Sequence, residues 1–101
     1  MTRINVLARA EWDLEDWQMQ FDAIQTGLSD KLMTAFRKGI ERIRQFPRRY
    51  AVYRRSIRIC PLRPFQIGVF YRVEGDVVYA LRVLDLRSNP KTLRQELGIS
   101  H

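Results

Sequence analysis

The apolar residues of this chain change their spacing at Pro47, and that change limits what the chain can fold into. Before it they recur three and four positions apart, as Leu14, Trp17, Phe21, Ile24 and Leu28, then as Leu32, Phe36, Ile40 and Ile43. Such spacing puts side chains on one stripe of an α-helix. After it three runs alternate with a period of two, "YRRSIRIC", "FQIGVFYRV" and "VVYALRVL", as strands require. A brief opening run, "RINVLA", reads as a further strand. The predicted fold is therefore α+β: an N-terminal strand, an antiparallel helical hairpin, then a three-stranded antiparallel meander that completes one sheet.

Short punctuation separates these elements. "QTG" divides the helices, Ser29 or Asp30 offers an N-cap for the second, and Pro47 stops it. Pro90 to Leu97 predicts a short last helix with Pro in its first turn. No linker-like segment intervenes, so residues 1–101 read as one domain, and 46% apolar residues suffice for its core. Trp12, Trp17 and Phe21 stand at helical spacing and read as core rather than as a platform for bases.

Taking Glu74-Gly75-Asp76 as a three-residue turn pairs Val73 with Val77, Tyr71 with Tyr79, Val69 with Leu81 and Ile67 with Val83. One face then holds Ile67, Val69, Tyr71, Val77, Tyr79, Leu81 and Val83, apolar enough to lie on the helices. The other carries Gly68, Phe70, Arg72, Val78, Ala80, Arg82 and Leu84. With Ile57 and Ile59 pointing into the core, the preceding strand adds Arg54 and Arg58 to that open face. Four arginines would share it.

Charge is unevenly placed. Residues 1–30 hold two Arg against six acids, whereas residues 31–64 hold eleven Lys and Arg against Glu41 alone. Such a basic pole attracts phosphate backbones or an acidic protein. Every apolar run is broken by Arg, Asp or Glu well short of a membrane span, so no membrane partner is expected. The start lacks the apolar segment of a signal peptide and Cys60 has no disulfide partner, which together point to the cytoplasm. One Cys and one His give no metal-ligand spacing, and no cofactor is expected. Cys60, next to Pro61 with no His nearby in sequence, reads as a small structural thiol.

Read in order, "ARAEWDL", "IRQFP" and "FYRVEGDVVYALRV" resemble the RelE/ParE superfamily of toxins from bacterial toxin–antitoxin pairs, over nearly the whole chain. "ARAEWDL" is similar to the family's Ala-x-x-Asp-Leu opening of the first helix. The resemblance implies a small α+β toxin, wrapped and neutralised by a cognate antitoxin. It also implies one of two activities: ribosome-associated mRNA cleavage, or inhibition of DNA gyrase without any cutting by the toxin. Cleaving members place Arg on the third strand and Lys, Arg, His or Tyr near the chain's end. The matching positions here are Gly68 and Asp85, while Arg87 keeps one cation and His101 is the last residue. RNA cleavage by attack of a 2′-hydroxyl needs a base for its proton, an acid for the leaving oxygen and phosphate-binding cations, so no catalytic residue is assigned. Asp85 is expected to pair with Arg87 or close the turn before Asn89-Pro90. The expectation is a ParE-like gyrase inhibitor whose target or partner contacts are Arg54, Arg58, Arg72, Arg82 and Arg87. The alternative is a RelE-like mRNA endonuclease, and the third reading a basic nucleic-acid-binding module.

Overall fold

The computed structural model describes residues 2–99. Strand β1 (Arg3–Val6) leads into helices α1 (Ala8–Ile24) and α2 (Leu28–Gln45). Strands β2 (Val52–Arg54), β3 (Ile57–Pro61), β4 (Ile67–Glu74) and β5 (Val77–Asp85) follow, and α3 (Pro90–Leu97) comes last. The class is the expected α+β, with one strand added. The run expected as a single strand after Pro47 folds back at Arg55-Ser56 into the short hairpin β2–β3. The sheet order is β1-β5-β4-β3-β2. Neighbours are antiparallel except β1, which runs parallel to β5 with Arg3 opposite Val77 and Val6 opposite Ala80.

The helical hairpin turns at Gly27, whose φ of 91° favours a residue without Cβ. Gly27 is the N-cap of α2, so the expected caps Ser29 and Asp30 fall inside its first turn. Ser29 instead ties the helices together, donating from its backbone N (3.0 Å) and Oγ (2.7 Å) to the Asp22 carboxylate. The buried edge of α2 is Leu32, Ala35, Gly39 and Ile43. It uses small residues because α2 lies close to the segment after β3: a Cβ on Gly39 would stand 2.7 Å from Leu62 Cδ2.

On α1, Ala10 and Leu14 are buried and Trp17 and Phe21 pack beside them. Trp17 satisfies its indole by donating to the Val83 carbonyl, 2.9 Å away. Trp12 does not join this core. It lies about 140° around the helix from Trp17 and is 60% exposed, and Ile24 at the helix end is 75% exposed.

The β4–β5 turn contains two residues, Gly75 and Asp76, not three, so Glu74 faces Val77 and Tyr71 faces Ala80. A one-residue slip exchanges the faces of a strand. Val78 and Ala80 therefore enter the core beneath the helices, whereas Tyr79 and Leu81 face away, opposite to the expectation for each. An irregularity at Phe70/Tyr71 leaves Leu81 unpaired and restores the phase, so that Phe70 faces Arg82 and Val69 faces Val83.

Strand β3 is also inverted relative to expectation. Cys60, opposite Val69, lies on the hairpin side, while Ile57 and Ile59 pack on the other face. That face is covered too: α3 lays Leu93 and Leu97 over Ile57, Phe70 and Leu84. As expected, α3 spans Pro90 to Leu97, with Asn89 as N-cap accepting from Thr92 N at 2.9 Å. Cys60 is wholly buried, and burial pushes its thiol up. Among the described residues no helix is long and apolar enough to cross a membrane. No group of three or more His, Cys, Asp or Glu among them could hold a metal ion. His101 lies outside the described residues.

Candidate functional site

A guanidinium beneath a protein surface is stable only when its charge is matched and its donors are used. Arg82, on β5, is 9% exposed. Its Nε and Nη2 donate to Asp13 Oδ2 and Oδ1 at 2.7 and 2.9 Å, and Nη1 donates to the Glu96 carbonyl at 2.5 Å. Nη2 also lies 3.0 Å from Glu96 Oε2. Asp13 Oδ2 accepts a further bond from Val83 N at 2.9 Å. The bonds that Arg82 donates to Asp13 outweigh burial and push it above its ordinary value. Arg82 was expected as an open contact. It is instead the tie that joins α1, β5 and α3.

The four arginines expected on one face are divided. Arg58 lies on the hairpin side, because β3 is inverted, and its Nη1 donates to the carbonyls of Tyr50 (2.5 Å) and Arg48 (3.1 Å). Arg54 is half-buried in β2, at the sheet's edge. Arg72 lies opposite Tyr79, with its guanidinium 5.3 Å from that ring's centroid and paired to Glu74. Arg87, beyond β5, has an exposed side chain paired to Asp85 at 3.2 Å.

Arg72 and Arg82 share a cavity of about 680 Å³ with Arg9 and Arg55, two residues that sequence reading did not select. Leu7, Ile57, Leu81 and Leu97 give this cavity an aliphatic lining. Arg55 reaches it from the β2–β3 turn with φ 53°. That left-handed conformation costs an L-residue about 1 kcal/mol.

The two positions matched to cleaving toxins are closed in different ways. A Cβ on Gly68 would meet the Cys60 carbonyl and Leu86 Cδ2 at 3.1 Å and Ile59 Cγ2 at 3.2 Å. An arginine there needs its neighbours to move. Asp85 Oδ1 accepts from Arg87 N at 2.8 Å and Nε at 3.2 Å, and this bonding holds the carboxyl below its usual value. It closes the turn, as expected. Tyr71 is buried and donates to the Pro47 carbonyl at 2.9 Å, with its phenol pushed up to about 12 mainly by burial. Tyr53, on the α3 side, keeps a buried hydroxyl with no partner among the described residues.

Two further residues escaped sequence reading, Asp13 and Glu96. Asp13 did carry a signal, since it is the acid of the Ala-x-x-Asp-Leu motif. Its purpose is now plain: it accepts three bonds from Arg82 and Val83.

No family model matches the chain, and no curated protein matches it. Among solved structures, the chain is similar to one described as "Chromosomal ParDE TA system from P. aeruginosa". The TM-score is 0.67, with 17% identity over 86% of this chain and 98% of that one. The fold is ParE-like. At this identity the likeness is one of backbone path. The side chains that furnish the ParE-like fold here, the Asp13–Arg82 tie and the arginine-lined cavity, are those of this chain.

Proposed function

We propose that the chain is the toxin of a toxin–antitoxin pair, held inactive by a cognate antitoxin, and that it inhibits DNA gyrase in the cytoplasm without cleaving any bond itself. The observation that carries this reading is the ParE-like fold, shared over 86% of the chain with a structure from a ParDE system. The state of Gly68 and Asp85 supports the non-catalytic part. One position takes a phosphate-binding arginine only if its packed neighbours give way, and the other holds a carboxylate already bonded to Arg87. Loss of one transition-state donor alone can lower a rate by two to three orders of magnitude, roughly. Arg72 and Arg87 are the proposed target contacts, with Arg82 supporting the surface from beneath. Arg54 and Arg58 belong to the basic segment 31–64, where an acidic antitoxin is proposed to cross.

The test is to induce the chain in cells that lack the antitoxin and to follow DNA supercoiling, DNA breaks and mRNA ends through the first minutes. Loss of supercoiling with gyrase-linked breaks is expected. Prompt codon-linked mRNA cuts with gyrase unaffected would replace this reading by the mRNA endonuclease one.

A further inference from the structure

The cavity between the start of α1, the β2–β3 turn and the end of α3 has cations from four separate segments: Arg9, Arg55, Arg72 and Arg82. They are not equivalent. Arg82 is committed to Asp13 and Glu96. Arg72 is held by one carboxylate, Glu74, which is itself 55% exposed and so easily exchanged. Arg9 and Arg55 are exposed and form no ion pair or side-chain hydrogen bond among the described residues. Arg55 also keeps a left-handed φ at a turn where Gly or Asn would sit with less strain. Among the described residues no acidic group pairs with it.

Guanidinium forks suit carboxylate and phosphate alike, so the rest of the lining has to discriminate. Leu7, Ile57, Leu81 and Leu97 are aliphatic, and among the described residues no Phe, Tyr or Trp lines the cavity. Bases therefore find no aromatic ring to stack on and only the guanidinium planes. An aliphatic side chain finds a place to be buried. Glu96 already sets one carboxylate 3.0 Å from Arg82 at this wall, an internal instance of the chemistry that fits.

We propose that this cavity binds a short acidic protein segment in which an aliphatic side chain lies between carboxylates. The aliphatic group packs on Ile57 and Leu81, and the carboxylates meet Arg9, Arg55 and Arg72. The proposal deepens the toxin–antitoxin reading, and it rests on that reading for the segment's source, the antitoxin.

The test titrates the ¹⁵N-labelled full chain with the blocked peptide Glu-Asp-Leu-Glu-Asp, the same peptide with Ser replacing Leu, and a short oligothymidylate. Amide shifts are expected at Arg55, Ser56 and Gly98. The double variant Arg9→Gln/Arg55→Gln should weaken the Leu peptide at least about tenfold, and the Ser peptide should bind several-fold more weakly than the Leu one. Arg3→Gln/Lys91→Gln removes the same charge from exposed positions outside both this cavity and the segment 31–64 and should leave affinity unchanged. Equal losses in both double variants would mean attraction by net charge only and would overturn the proposal. So would oligothymidylate shifting the same amides with equal or higher affinity, or a peptide that shifts none of them. The amide spectrum of each variant reports whether it folds. Failure here, with gyrase inhibition retained in cells, removes the cavity's occupant and leaves the toxin reading standing.

Discussion

Asp13 of α1 and Arg82 of β5 meet fork to fork across 69 residues of sequence, with side chains only 13% and 11% exposed. Removing one partner strands the other beneath the surface. Asp13→Asn is expected to lower the stability of the fold by about 3 kcal/mol in urea denaturation, the lower part of the range for a broken buried pair because Glu96 still faces Arg82. The joint replacement Asp13→Leu/Arg82→Met should lose less than Asp13→Asn alone. A loss below about 1 kcal/mol for Asp13→Asn would mean the pair does not tie the three elements together.

Arg82 and Arg87 are expected to separate in their effects. Arg87 is exposed, and its pair with Asp85 is open to solvent, so Arg87→Ala should leave stability essentially unchanged. A fall in gyrase inhibition by this variant, measured in a supercoiling assay with a matched thermal melt, would therefore report a lost contact. Arg82→Ala should lower Tm and activity together.

Gly68 is expected to resist every side chain. Gly68→Ala presses a methyl against a backbone carbonyl and two packed side chains at 3.1 to 3.2 Å, and should lower stability by about 1 to 3 kcal/mol. Gly68→Arg should be worse and should not create mRNA cleavage. A stable Gly68→Arg variant that cuts mRNA would show that the absent arginine, and not the site as a whole, keeps the chain from catalysis.

Alkaline stability should depend on Tyr71. Its phenol is raised from 10.0 to about 12, with burial as the main cause, so the folded chain holds this proton more tightly than the unfolded one. The corresponding stability is complete below about pH 10 and is lost as the pH climbs through about 12. Denaturation followed between pH 9 and 12 should steepen across this window, and Tyr71→Phe should flatten it. Some slope should remain, because burial raises Tyr50 as well.

The helices, the last helix to the residue, and the change of class at Pro47 were legible because each rests on local chemistry: period, proline and cap. The sheet faces were not. Both sides of this sheet are covered, one by the helical hairpin and the other by α3, so Ile57 and Cys60 are both apolar and buried although they face opposite ways. Alternation alone cannot choose between them. The β4–β5 register failed by one residue because Glu74 belongs to the strand, not the turn, and the bulge at Leu81 then hid the error from Arg82 onward. Arg82 was placed on its correct face but taken for a free cation. Its partners, Asp13 and Glu96, lie on elements whose approach no local pattern encodes.

The pairing of β1 with β5 has a consequence for how the molecule is born. The first strand finds its neighbour only when residues 77–80 exist, and Trp17 waits 66 residues for its acceptor at Val83. On a ribosome that releases the chain from its N-terminus, the helical hairpin can form early, but its sheet cannot, and contacts so distant in sequence close slowly. The sheet therefore comes into being only once β5 has emerged. Under the proposed reading, an antitoxin finds a folded surface on this chain only from that moment.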